Sequence, residues 1–514
     1  MPKIIKKIKF LFGILFLCQA SSALLAQGLN HNWLLGYLDA PYLPYSPSAD
    51  ATLQFTKTSY SITGTSRLMK FRATQANISD SLGNILFYSN GGWIADATGD
   101  TMINGSGLSP SIFSTVYSDY GFPPPSMQIA LPFPDSNNVY ILFHQTSEPL
   151  ESNSVELYYS IIDMKQNNGK GVVTQKNLIA FQDTILFGIH ACKHANGRDW
   201  WIVTLRDSSD VAIKLLFTPN GIAQVDTQHL IVPLHHNGYT QPMCFSPDGK
   251  KFAYIVTTQT GNSNYPSLRD LRIFDFDRCT GLFTNSFHFD LNDTFPGTCL
   301  SFSSNSRYLY TAKYFRISQF DLLSASIQAS RQYVADYDTF FMGGYTDFAN
   351  MYLGANGKIY ISSTSTTIYF NVIDSPDSFG VSCNVLQHSL LSPTFLFFNH
   401  VNHPNYYLGC DTSLGCPCLS STSLTENGQH DFRFRVYPNP VVNNFVNIGY
   451  ILPQNKSGIL KLYEVNGKQL YTQGLPPWSN EQSIILPKLT NGIYNMRIES
   501  GGYFKSKNVV VMHE

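Results

Sequence analysis

The chain has 514 residues, only 13% of them charged against 14% aromatic, and its formal net charge is −1. Ordinary domains carry about 25% charged residues, and a nucleic-acid partner needs a basic face that no Lys/Arg cluster beyond the first nine residues supplies. The length leaves room for roughly two to four domains and a large core. Abundant Tyr, Phe, Gly, Asn, Ser and Thr, with few helix formers, predicts β structure.

The chain opens with a basic stretch, Lys3 to Lys9, followed by Phe10 to Leu17 without a charge and by small residues at Ser21, Ser22, Ala23 and Ala26. This is the pattern of a secretory signal peptide over residues 1–26, cleaved near Ala26. The apolar run is shorter than the roughly 20 residues that cross a bilayer, and no later stretch qualifies as a transmembrane helix. Cys18 follows Leu17, where a lipid-attachment site wants a small residue, so Cys18 reads as part of the apolar run. Eight cysteines then remain: Cys192, Cys244, Cys279, Cys299, Cys383, Cys410, Cys416 and Cys418. In an exported chain an even number permits disulfides, with connectivity open. Cys410, Cys416 and Cys418 lie close together and are expected to contribute to a bridge. Cys416-Pro417-Cys418 lacks a zinc-site spacer and a second pair, and no cofactor is expected.

From residue 27 to 409 one pattern recurs: a polar, Gly-containing turn and then an aromatic or aliphatic strand. Asp80-Ser81-Leu82-Gly83-Asn84 leads into Ile85–Tyr88, and Pro134–Asn138 into Val139–Phe143. His194–Asp199 leads into Trp200–Val203, and Ser246–Lys251 into Phe252–Val256. Ser303–Arg307 leads into Tyr308–Tyr310, and Gly354–Lys358 into Ile359–Ile361. Asn-Gly and Asp-Gly suit turns that need positive φ, and the runs that follow suit buried strands. Marked at Phe87, Ile141, Trp201, Ala253, Leu309 and Tyr360, the spacings are 54, 60, 52, 56 and 51 residues. A four-stranded propeller blade takes about 40–50 residues plus loops. Val155–Asp163 and Leu271–Asp277 read as further strands of the blades. Six marks imply at least six blades. Trp33–Tyr37 is expected to pair with chain near 395–408 and close the ring, removing its open edges. Seven blades are preferred to six.

Phe245-Ser246-Pro247-Asp248-Gly249-Lys250-Lys251 and its diverged copy Phe302–Tyr310 resemble blades of WD-repeat-like and YVTN-type propellers. Ile78–Asp80, Gly83–Tyr88, Lys193–Asp199 and Phe274–Gly281 resemble segments of large propeller-bearing surface proteins of gliding-type bacteria. That resemblance specifies a fold and leaves the ligand open. Asp80-Ser81-Leu82, Asp100-Thr101-Met102 and Asp183-Thr184-Ile185 resemble the short O-glycosylation motif of such bacteria.

Residues 410–431, rich in Cys, Ser, Thr, Gly and Asn, read as a linker. Residues 432–514 hold five or more short alternating strands with Asn-Gly turns, a small β-sandwich. The strand entry Tyr437-Pro438-Asn439-Pro440, the turn Asn466-Gly467-Lys468 and the strand opening Gly492-Ile493-Tyr494 closely resemble the type A C-terminal sorting domain of the type IX secretion system. The resemblance implies that the type IX machinery is a partner. It also implies passage across the outer membrane, removal of the module and attachment of the remainder to a surface lipopolysaccharide. The terminal Met512-His513-Glu514 departs from the more usual final Lys or Arg.

No Gly-x-Ser-x-Gly elbow, His-Glu-x-x-His pair or phosphate loop is present. His190/His194, His400/His403 and His235-His236 read as core, surface or loop residues, since ligation needs more ligands than a pair. Asp275/Asp277 and Asp290/Asp293 are acidic clusters, and glycosidases use two carboxylates, but Asp275 and Asp277 alternate at a strand end, where they are expected to cap turns. Trp200-Trp201 and Tyr158-Tyr159 point to opposite faces of strands, so at least one of each pair belongs to the core. The expectation is an all-β surface protein whose propeller binds protein or glycan, in adhesion or surface assembly. The alternative is a secreted glycan- or peptide-processing enzyme with its site at the propeller's central mouth.

Overall fold

The computed structural model describes residues 28–36, 48–56, 59–147, 154–185, 187–207, 209–230, 242–258, 268–291, 299–396, 400–419, 433–442, 445–452, 457–465, 467–475, 481–500 and 503–512. The signal-peptide segment 1–26, Tyr37, His235-His236, Asp293, Asn466, residues 420–431 of the expected linker and His513-Glu514 lie outside them. The chain falls into two compact units, one over Ala26–Ser421 and one containing Thr422–Glu514.

The larger unit is nearly all-β and propeller-like. Its strands form a three-stranded sheet, a nine-stranded sheet and four four-stranded sheets. The nine-stranded sheet is two antiparallel meanders, Thr74–Ser106 and Gln128–Ile185, joined by one parallel pair, Ile103 with Val172. The sequence marks fall on equivalent strands. Phe87, Ile141, Trp201, Ala253, Leu309 and Tyr360 all lie on the second strand of a meander. The turn before that strand places one residue in the left-handed region each time. It is Gly83, Gly197, Gly249 and Gly357 in four repeats, and Asp135 and Ser306 in the other two.

Sheets pack face to face in sequence order, which is why the second strands are buried on both sides. In Trp200–Leu205, Trp200 and Ile202 face the core shared with Ile129, Leu142 and Phe143, whereas Trp201, Val203 and Leu205 face Phe252, Tyr254 and Phe274. Both tryptophans are therefore core. Their indole N–H groups donate to Pro132 O at 3.1 Å and Arg278 O at 2.9 Å. The same face-to-face packing joins Ile255 to Leu300 and Leu309, then Tyr310 to Met351 and Ile361. It returns to the start through Tyr360 and Phe370 against Trp33 and Leu53, and through Leu34 against Phe71 and Tyr88. Each large apolar side chain buried this way contributes about 1.5–3 kcal/mol.

Two expectations need correction. Trp33 pairs with Leu53 inside its own sheet. The late segment His400–Val401 instead pairs in parallel with Thr74–Gln75, and Trp33 and Leu35 meet Val401 and Leu396 through side-chain packing. Nor does a linker begin at 410. Cys410 is bonded to Cys418 and Cys416 to Cys279, 137 residues earlier in the chain, and Asp411 N donates to Ala195 O at 2.8 Å. These bonds make residues 410–418 part of the larger unit. Cys192, Cys244, Cys299 and Cys383 are free thiols.

The C-terminal unit has two sheets. One orders Arg433–Tyr437, Phe445–Ile451 and Glu481–Ile485; the other orders Gln469–Leu475, Gly458–Tyr463, Gly492–Ser500 and Tyr503–Val511. Alternate residues of both sheets, among them Val446, Ile448, Leu460, Leu462, Met496 and Ile498, enter one apolar core.

Candidate functional site

The first strands of the meanders lie side by side around the centre of the larger unit. Among the described residues, and apart from Thr74–Gln75, which pairs with His400–Val401, their inner edges pair with no other strand. The segment after Val401 covers these edges with side chains. Asn402 Nδ2 donates to Gln128 O at 2.9 Å and Ile189 O at 2.7 Å. His403 Nε2 meets Asn77 O at 3.0 Å, and the Tyr406 hydroxyl donates to Ala130 O at 2.9 Å. Asn405 Nδ2 reaches Pro247 O at 2.6 Å, and Lys193 Nζ donates to Tyr406 O at 3.3 Å. Arg278 fixes the far end through Gly409 O at 2.7 Å. Residues 402–418 thus form a strap along the first strands of several meanders, and two disulfides tie it down.

The titratable candidates are accounted for by this scaffold. Burial pushes His190 down to about 3 and His403 to about 4. His194 Nε2 bonds Cys279 O at 2.9 Å and its Nδ1 accepts from Asn196 N at 3.0 Å. Asp275 pairs with Lys251 at 2.6 Å, and Asp277 caps the turn by accepting from Cys279 N at 2.7 Å. Tyr158 is buried and donates to Glu156; Tyr159 is half-buried against the core. Among the described residues no three His, Cys, Asp or Glu side chains come together as a metal site. Ser81, Thr101 and Thr184 are exposed.

A groove of about 680 Å³ opens between the six-residue helix Ile112–Tyr117 and the strands Trp93–Asp96 and Thr101–Ser106. Trp93, Ser106, Leu108, Thr115, Ser118 and Asp119 are among its lining residues. Its walls are held by backbone contacts. A Cβ on Gly92 would lie 2.6 Å from Ser118 Cα, so only glycine lets the helix end rest on the sheet. Asn90 clamps the same place, donating to Ser118 O at 2.8 Å and accepting from Gly92 N at 3.1 Å. Ser111 caps the helix by accepting from Ser114 N at 3.0 Å.

Beneath the groove lies a buried Ser–His–Ser chain. Ser109 Oγ is 2.6 Å from His144 Nδ1, and His144 Nε2 is 2.9 Å from Ser160 Oγ. Ser109 and His144 are fully enclosed, and burial pushes the imidazole down to about 3. With hydroxyls on both ring nitrogens and no carboxylate, the chain holds the loop 107–111 in place and has no nucleophile within reach of a substrate.

In the C-terminal unit, Asn439 is a clip. Its Nδ2 donates to Asn508 O at 3.0 Å and its Oδ1 accepts from Val510 N at 2.8 Å. Tyr437–Pro438 and Asn439–Pro440 are cis, and the next residue, Val441, is buried and bridges in parallel to Val511. Gly467 and Lys468 form a turn with Glu464, with N–H···O distances of 2.9 Å. Gly492 opens the strand that pairs with the last one, and the Tyr494 hydroxyl donates to Thr490 O at 2.9 Å.

Residues 435–512 match the family model of the secretion system C-terminal sorting domain. The chain is an exported protein, attached to the cell surface or released outside, and the secretion machinery is its partner in transit. No curated protein matches the sequence. Among solved structures, a protein of unknown function from Desulfotomaculum acetoxidans is 12% identical, with 68% of this chain and 95% of that one covered and a TM-score of 0.35. A gluconolactonase from Xanthomonas campestris is also 12% identical, over 66% and 93% of the two chains, with a TM-score of 0.29. Likenesses of this size carry no argument about activity.

The sequence reading missed the groove and the strap. Gly91-Gly92 before Trp93 and the serine-rich run Ser106–Ser118 were the available signals for the groove.

The buried histidines make stability depend on pH. In the unfolded chain each imidazole takes up a proton near 6.5, whereas His144, His190 and His403 stay neutral in the fold down to about 3, 3 and 4. The unfolded state therefore binds more protons below about 6.5, and stability, complete above that value, falls as pH drops, by up to about 1.4 kcal/mol per pH unit for each histidine. Denaturant midpoints measured from pH 7.5 to 5 check this. His144→Gln is expected to flatten the slope by one proton, and a pH-independent midpoint would contradict it.

Proposed function

We propose that the protein is a surface-displayed, seven-bladed β-propeller that binds protein or glycan, carried out of the cell by a C-terminal β-sandwich sorting domain of the type IX system. Seven meanders pack in one cycle, one of them three-stranded. The domain organisation follows: a signal peptide at 1–26, the propeller with its strap to about 418, and the sorting domain from 432. The observation that carries the binding reading is the strap. Asn402–Tyr406 lie against the first strands of the meanders, and their side chains meet neutral backbone carbonyls. Chemistry at a propeller mouth requires converging acids, bases or metal ligands.

The test is a glycan and matrix-protein array run beside a general hydrolase screen on the secreted chain. Binding without turnover is expected. Turnover abolished by one carboxylate substitution would overturn the reading.

The sorting residues are proposed to act through the clip. Tyr437, Pro438, Asn439 and Pro440 present an exposed entry strand, while the Gly467-Lys468 turn and Gly492–Tyr494 hold the sheet beside it. Asn439→Ala removes two hydrogen bonds, an expected loss of about 2 kcal/mol in the module, and lowers surface display in cell fractionation. Undiminished display would show that the clip has no part in sorting.

A further inference from the structure

We propose that the groove beside the helix Ile112–Tyr117 is a binding site for one sugar ring of a neutral polysaccharide. This deepens the binding reading and rests on it. The groove's 680 Å³ lies within the range that accommodates a small molecule. Trp93 is half-buried: it packs against the cluster of Leu34, Met69 and Phe71 and also lines the groove. A pyranose has an apolar face of C–H groups that packs on such a ring, and Trp combines that face with a polar N–H. Within the described residues the indole N–H of Trp93 makes no hydrogen bond.

Other lining residues supply the polar half of a sugar site. Asp119 is exposed, and its carboxylate receives only a long contact, 3.4 Å, from the Ser118 hydroxyl. That leaves most of its acceptor sites free for a pair of sugar hydroxyls. Thr101 and Ser106 add hydroxyls that can donate or accept. No Lys or Arg lines the groove. A carboxylate without a basic partner repels an anionic sugar, so the ligand is neutral. The site is also preorganised. Gly92 against Ser118, the Asn90 clamp, and the bond from Leu108 N to Gly92 O at 3.0 Å hold both walls before any ligand arrives.

The experiment titrates the secreted full-length chain with neutral oligosaccharides (cello-, manno-, xylo- and chito-series) and with acidic ones (oligogalacturonate, oligoalginate), by calorimetry. Trp93→Ala, Trp93→Phe and Asp119→Asn are measured in parallel, with circular dichroism as the folding check. The expected result is binding of at least one neutral series and none of the acidic ones. Trp93→Ala should weaken it about tenfold or more, Trp93→Phe should retain part of it, and Asp119→Asn should weaken it without unfolding. Preference for acidic oligosaccharides, absence of neutral binding at millimolar concentration, or neutral binding indifferent to Trp93→Ala in a folded variant would each overturn the proposal. In those cases a ligand found on the glycan or protein array would leave the broader binding reading standing. Turnover with no binding would remove both.

Discussion

A sheet that radiates from a common centre leaves the inner edge of its first strand without a partner strand, and buried carbonyls without hydrogen bonds are costly. This chain meets the constraint with side chains from one late segment. Asn402 spans two sheets at once, His403 and Tyr406 each take one further carbonyl, and Asn405 reaches the next turn. A two-residue parallel ladder, His400–Val401 with Thr74–Gln75, sets the register of that segment. The beginning and end of the ring also meet through apolar packing of Trp33, Leu53, Tyr360 and Phe370 and through hydrogen bonds such as Thr394 Oγ1 to Ala49 O at 2.8 Å. Covalent bonds at Cys279–Cys416 and Cys410–Cys418 then keep the strap seated. A crosslink that encloses more than a hundred residues restricts the unfolded chain strongly, by about 4–5 kcal/mol in the chain-entropy model.

The division of labour in the molecule follows from that closure. Asn402, His403 and Tyr406 hold the ring together through their side chains, and burial keeps His190 and His403 neutral. On the flank, a short helix inserted between Ser106 and Gln128 rests its end on the sheet and leaves a walled groove beside it. The C-terminal unit contributes the address and has its own core. The sorting module is thus separate in sequence and in core from the larger unit.

What could be read from the sequence was what is locally encoded. The repeated turns showed because a left-handed residue followed by an aromatic strand is a short-range signal, and all six marks land on equivalent strands. The sorting tail was readable for the same reason, from three short motifs. The closing pairing was misassigned because Trp33 and Leu35 are apolar and alternate, as a paired strand would; only the tertiary packing shows that they meet Val401 by side chains. Cys279 could not be matched to Cys416 because the two stand 137 positions apart in the sequence. The groove was invisible because serine and threonine hydroxyls have no characteristic spacing, and Trp93 looks like any strand aromatic until Gly92 brings the helix down beside it.

The strap is the element on which the account turns, and its covalent anchoring is open to direct measurement. Peptide mapping of the secreted chain by mass spectrometry, under non-reducing conditions with free thiols blocked beforehand, reports every crosslink. The account predicts Cys279 linked to Cys416, Cys410 linked to Cys418, and Cys192, Cys244, Cys299 and Cys383 recovered as blocked thiols. A link between Cys410 and Cys416, with Cys279 recovered as a free thiol, would show that the strap is not tied across the ring and would contradict it.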